Sequence, residues 1–186
     1  MFCWRLPPAA YSEIRAALNT GNCAVATQSW SRRGDGSAGS GNKIMAWIAR
    51  RITNESLCGC PIIAQEEVAG ELGRESCAFV AGGSADGRST VSWNTAAIAE
   101  LQANYCKSHN IQTVILVAGP FHQGRSKWCY ERHGLRVLVA PRYGWRLSDY
   151  QDRQLVHWVA QGPERLPIAW ARELLTRIWF VFKGWN

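Results

Sequence analysis

Thr113–Pro141, TVILVAGPFHQGRSKWCYERHGLRVLVAP, decides the fold of this chain. Thr113–Ala118 is an apolar, β-branched run of the kind that forms a parallel strand buried on both faces. Gly119 and Pro120 punctuate it. Phe121–His133 has helical character, and Gly134 suits the position just past a helix end, where left-handed backbone is common. Arg136–Ala140 is a second apolar strand. Two parallel strands joined by a helix make a right-handed crossover. Open α/β sheets bind ligands just past the carboxyl ends of their strands. His122 and Arg125 fall at that edge.

Working toward the N-terminus, the pattern repeats. The spacing predicts a helix over Ala9–Leu18, with Ala9, Ile14, Ala17 and Leu18 as its apolar stripe, closed by the turn chemistry of Asn19-Thr20-Gly21-Asn22. Cys23–Thr27 reads as the first strand. Gln28–Gly41, QSWSRRGDGSAGSG, is a Gly/Ser loop with arginines, followed by a helix over Asn42–Ile52. Strand, Gly/Ser loop and helix is a layout that cradles anions on backbone N–H groups. A plain surface loop fits the same residues. Pro61–Ala64 reads as a short strand, Glu66–Gly73 as a helix and Cys77–Ala81 as a strand ending in Gly82-Gly83. Ser84–Ser92 is a polar loop. A long helix follows over Thr95–Ser108, with Ile98, Leu101 and Tyr105 at helical spacing.

Beyond the central crossover, Arg142–Leu147 is a loop rich in Arg, Tyr and Trp. Helices are expected over Asp149–Ala160 and, past the break at Pro163–Pro167, over Ile168–Phe182. The last helix is expected to pack on the sheet. Strands and helices alternate, so the fold class is α/β: a three-layer open, mainly parallel sheet of about five strands with helices on both faces. A closed β/α barrel needs more strands than this length offers. No linker divides the chain, and residues 1–186 read as one domain.

The formal net charge of +7 is spread over small clusters such as Arg32-Arg33, Arg50-Arg51 and Arg142/Arg146. It suits anionic partners: a phosphorylated metabolite, a nucleotide, or acidic lipid head groups. No zinc-finger, RNP-type or helix-turn-helix motif accompanies it, so no specific nucleic acid is expected. The seven cysteines are odd in number and irregularly spaced, which argues against a disulfide framework. Cys58-Gly59-Cys60 is the close pair, but no other ligands stand at metal-binding spacing, so no metal is predicted. The N-terminus lacks the apolar core of a signal peptide. Nothing approaches the roughly 20-residue apolar span of a membrane-crossing helix. The expectation is a soluble, reduced, cytoplasmic protein. The alternative is one peripheral to the cytoplasmic membrane, held by the aromatic and basic end of the last helix.

Several residues could carry chemistry. His122 and Arg125 are three apart at a helix start, so they share a face beside the free N–H groups of the first turn. Together they would hold a phosphate or carboxylate, and His122 could act as general acid or base. Their bland reading is a capping His and a solvated Arg. Gly82 and Gly83 allow close backbone approach to a ligand, or simply make a turn. Asn94 and Thr95 cap the next helix at the same edge. Gln28 and Ser29 end the first strand, and Gln65, Glu66 and Glu67 follow the second. Glu67 and Asp86 are the best carboxylates for contacts to a ribose or base, against the bland reading of solvated charges. Trp30, Trp93 and Trp145 lie near the edge and could stack on a ring.

Four pieces in order carry a resemblance: SWNTAAIAEL, VILVAGPFHQGRSKW, the Gly-Leu-x-Val entry to the next strand, and ARELLTRIWFVFKGW. They resemble the YdcF/SanA/ElyC-like family, a domain of unknown function. The likeness spans about Asn22 to Trp185 and is firmest from Asn94 onward. It implies a Rossmann-like fold with a pocket at the strand ends, with Asn94, Thr95, His122 and Arg125 as the polar motif residues. It also implies an association with cell-envelope processes and an adenosyl-type ligand such as S-adenosylmethionine. The chain departs from the family where glycine-rich turns are usual: ATQSW follows the first strand and AQEE the second.

Three functions therefore stand. The leading one is binding of an anionic small molecule at the strand ends, nucleotide-like, S-adenosylmethionine-like or a phosphorylated metabolite. The second is a hydrolase or transferase acting on a phosphate ester or diphosphate, with His122 as acid/base. The third is a non-catalytic, envelope-associated factor.

Overall fold

A computed structural model describes residues 8–29, 33–35, 37–56, 59–82, 95–121, 123–150 and 152, together with 167, 168, 171, 174–176 and 178. In order they form α1 (Pro8–Thr20), β1 (Cys23–Gln28), α2 (Ser40–Asn54), β2 (Ile62–Gln65), α3 (Glu66–Leu72), β3 (Phe79–Ala81), α4 (Thr95–Ser108), β4 (Thr113–Ala118), α5 (Gln123–Arg132) and β5 (Arg136–Val139). Short 3₁₀ turns cover Arg74–Ser76 and Leu147–Tyr150. The five strands make one sheet in the order β3-β2-β1-β4-β5. All four pairings are parallel. This is the α/β architecture that the alternation predicts, and its order is that of a Rossmann-like sheet.

The period-2 alternation of the strands sorts the core into two layers. Cys23, Val25, Ile62, Ala64, Ile115, Val117 and Leu138 face α1, α2 and α3. Ala24, Ala26, Ile63, Val114, Leu116 and Val137 face α4 and α5. Neither layer can be left open, because a parallel strand is apolar on both sides. Helix α2 answers with Ile44, Met45, Ile48, Ala49 and Ile52 on one buried face. Each such aliphatic side chain contributes roughly 1.5–3 kcal/mol when fully buried.

The structure departs from the sequence pattern in a few places. Helix α5 begins at Gln123, whose N–H reaches the Gly119 carbonyl at 3.0 Å, while Phe121 lies in the preceding turn and is buried. The strand expected from Cys77 starts at Phe79, because Arg74–Ser76 winds into a 3₁₀ turn that draws the Cys77 N–H onto the Arg74 carbonyl. Helix α4 buries Ile98, Ala99, Gln102, Ala103 and Cys106, so its buried face is turned away from Leu101 and Tyr105, which are only partly covered. Of the helix expected over Asp149–Ala160, Asp149 and Tyr150 belong to the 3₁₀ turn, where the Asp149 carboxylate accepts the Arg146 N–H. Residues 153–160 lie outside the described ones.

In the last predicted helix, Ile168, Ala171, Leu174, Leu175, Thr176 and Ile178 are helical. Ile168, Leu174, Leu175 and Ile178 are exposed. The other residues of Ile168–Phe182 lie outside the described ones. No helix among the described residues is long and apolar enough to cross a membrane.

Candidate functional site

The chain runs β1-β2-β3 toward one side of the sheet and then β4-β5 toward the other. The reversal falls between β1 and β4. In open α/β sheets the crossovers diverge at such a reversal, and ligands bind past the carboxyl ends of the two strands. Register sets Gln28 of β1 beside Ala118 of β4 at that edge.

Gln28 is buried, and its amide is fully engaged. Its Nε2 donates to the Thr95 carbonyl at 3.3 Å and to the Tyr130 hydroxyl at 3.4 Å, while its Oε1 accepts from the Ser126 hydroxyl at 2.8 Å. The next residue, Ser29, donates its backbone N–H to Gln65 Oε1 at 2.9 Å. The end of β1 is thus bonded to the first residue of α4, to α5 one residue past Arg125, and to the residue that caps α3. Among the sequence-predicted positions, Gln28, Gln65, Thr95 and the helix carrying Arg125 come together. Gly82 follows the end of β3, two strands from β1. Asn94, Gly83, Asp86 and His122 lie outside the described residues, as do Trp30 and Trp93.

The polar floor under this edge extends to side chains that sequence reading missed. Tyr130 is buried and donates its hydroxyl to Gln102 Oε1. Gln102, fully buried, donates in turn to the Thr27 carbonyl and the Ile63 carbonyl, both at 3.2 Å. Burial drives the Tyr130 phenol well above its ordinary pKa, so it acts as a neutral donor. A signal was there to find: Gln102 stands four residues after Ile98, on a helix face that is otherwise apolar. A buried amide on such a face must find partners.

Acceptors gather on the other side of β1. Glu66 and Glu67 open α3. Thr27 Oγ1, Glu66 Oε2 and Glu67 Oε2 are buried without a hydrogen-bond partner. The other oxygen of Glu66 pairs with Arg74. A buried polar atom left unmet costs about 1–3 kcal/mol, so these oxygens suit a donor brought by a ligand. Arg125, half-buried in the first turn of α5, supplies cationic character on the β4 side. The edge is therefore polarised: oxygens at the end of β1 and the start of α3, and a guanidinium in the first turn of α5.

Two other predicted features make contacts of their own. In the loop after β1, Arg33 is ion-paired with Asp152 at 2.7 Å, and Asp35 accepts both the N–H and the hydroxyl of Ser37. Those hydroxyl and backbone bonds pull the Asp35 carboxyl below its usual pKa range. Trp145 stands edge-on to Trp47, with ring centres 6.0 Å apart, over the outer side of α2. Arg51 there lies 4.9 Å from the centre of the Tyr143 ring. Among the described residues, no group of three or more His, Cys, Asp or Glu side chains could hold a metal ion.

No family model matches the chain, nor does a curated protein or a solved structure.

Proposed function

We propose that the chain binds an anionic small molecule in the β1/β4 crevice, one that carries hydroxyl or amino donors as well as its negative group. A nucleotide, S-adenosylmethionine or a sugar phosphate has that make-up. Its phosphate or carboxylate lies toward Arg125 in the first turn of α5, and His122, next to that helix in sequence, is the second group proposed to hold it. Its ribose or sugar hydroxyls lie toward Glu67 and Thr27. The observation that carries this reading is the polarised strand end: buried, unmet oxygens on one side of β1 and Arg125 on the other. Neither side alone selects such a ligand, since the carboxylates repel a bare anion and the arginine repels a bare amine.

We further propose that the chain is a distant member of the YdcF/SanA/ElyC-like family. The Rossmann-like strand order fits that fold, and Thr95 and Arg125 stand at the same sheet edge, where the family's polar motif residues are expected.

A thermal-shift panel of nucleotides, S-adenosylmethionine, sugar phosphates and inorganic phosphate tests the reading. Members bearing both an anion and sugar hydroxyls are expected to stabilise the protein, and inorganic phosphate to do so weakly. The paired change His122→Ala with Arg125→Ala should weaken the best binder at least tenfold. Unchanged affinity, or a panel without a single stabilising member, contradicts the proposal.

A further inference from the structure

Cys23 opens β1, and Cys60 stands two residues before β2. The register Val25↔Ile62, continued two residues back, sets Cys23 directly opposite Cys60 on the neighbouring parallel strand. Parallel neighbours lie about 4.8 Å apart, inside the roughly 4.4–6.8 Å between Cα atoms that a disulfide spans. Both side chains point into the same core layer, under α1, α2 and α3. Their sulfurs are 2.7 Å apart, against about 2.05 Å for a covalent S–S bond. The Cys23 carbonyl also stands 2.9 Å from Cys60 Sγ, and Ser56 Oγ accepts the Cys60 N–H at 3.3 Å. Two thiols so arranged need almost no backbone movement to join.

We propose that Cys23 and Cys60 are an oxidisable pair that closes to an intramolecular disulfide when the protein meets a small hydroperoxide. The Cys23 thiolate attacks one peroxide oxygen, the O–O bond breaks, and hydroxide leaves to become water. Cys23 is then a sulfenic acid. The Cys60 sulfur attacks it, the S–O bond breaks, and the Cys60 proton departs in a second water. Two thiols and one hydrogen peroxide give one disulfide and two waters, and the two electrons lost by sulfur reduce the peroxide. Cys23 is the attacking sulfur: the hydrogen bond shared with Cys60 lowers the Cys23 pKa and, together with burial, raises that of Cys60. Both thiols are buried, at 0% and 3% exposure, so the oxidant must be small. Gly59, which precedes Cys60, is exposed. The disulfide ties β1 to the strand beside it and closes the whole α2 crossover into a loop.

The test uses the full chain, reduced with dithiothreitol, freed of reductant and treated with hydrogen peroxide. Remaining thiols are blocked with N-ethylmaleimide in denaturant, and peptides are mapped without reduction. A Cys23–Cys60 linked peptide is expected, two hydrogens lighter than the sum of its parts. A rise in Tm of about 5–10 °C should accompany it and vanish with dithiothreitol. Cys58→Ser should leave link and shift intact, and Cys60→Ser should abolish both. Full maleimide labelling of Cys23 and Cys60 after peroxide, or a link that runs through Cys58 instead, overturns the proposal. Should Cys60→Ser fail to fold, the peptide map of the wild-type and Cys58→Ser proteins decides alone.

Discussion

Gln28 is a single buried amide that fastens β1 to two helices: the start of α4 through Thr95, and α5 through Ser126 and Tyr130. Replacing it with leucine keeps the volume but leaves the buried Ser126 hydroxyl without its acceptor and unties β1 from α4. Gln28→Leu is expected to lose about 2–3 kcal/mol of stability, read from the urea midpoint at constant slope. Tyr130→Phe removes one hydroxyl and should cost about 1–2 kcal/mol. Buried titrating groups set the alkaline limit. Burial raises the Cys106 thiol from 9.0 to about 12 and, as its main cause, the Tyr150 phenol from 10.0 to about 12. Each is harder to ionise folded than unfolded, so its contribution is whole below the unfolded value and is lost as pH climbs through the folded one. Stability should therefore fall from about pH 9 toward pH 12, and Cys106→Ala should flatten the early part of that fall in a series of urea melts. A urea midpoint that stays constant across that range would contradict the account.

Two glycines separate backbone strain from helix propensity at the scale of an element. Gly134 ends α5 with φ +79, and a Cβ there would meet nothing within 4 Å. The cost of Gly134→Ala is thus conformational alone, about 1 kcal/mol. Gly70 sits inside α3, exposed, with equally open space around it. Gly70→Ala should stabilise by about 0.5–1 kcal/mol. Chemical denaturation of the two variants side by side should show opposite signs.

The same scale explains what could be read in advance. Thr113–Ala118 and Thr95–Ser108 have the bounds that periodicity predicts, because both follow strong local patterns. The face of α4 did not follow from local pattern: alanines and a glutamine make its buried side, and only the sheet's need for small side chains and for a bonded amide selects them. Helix α5 starts at Gln123 and not at Phe121, because Phe121 suits a helix by type but fills the turn between Gly119 and the first helical N–H. Of the site, the edge and the gathering of Gln28, Gln65 and Thr95 were legible from strand ends. The Gln102–Tyr130 floor was not, since it depends on which helices pack side by side.

At the scale of the whole molecule, the order β3-β2-β1-β4-β5 reverses direction between β1 and β4, the place where open α/β sheets bind their ligands. In the proposed site the polar network is the floor, the acidic start of α3 one side and the start of α5 the other. Glu67→Gln should weaken binding of a sugar-bearing ligand while sparing inorganic phosphate, a contrast measurable by calorimetric titration. The most direct test of the central claim is amide chemical-shift mapping with the tightest binder from the thermal-shift panel. The account predicts that the shifted amides cluster at Ser29, Glu66–Glu67, Thr95 and Gly119–Ser126. Shifts confined to the outer side of α2, around Trp47 and Trp145, or absent from the strand ends at saturation, would contradict it.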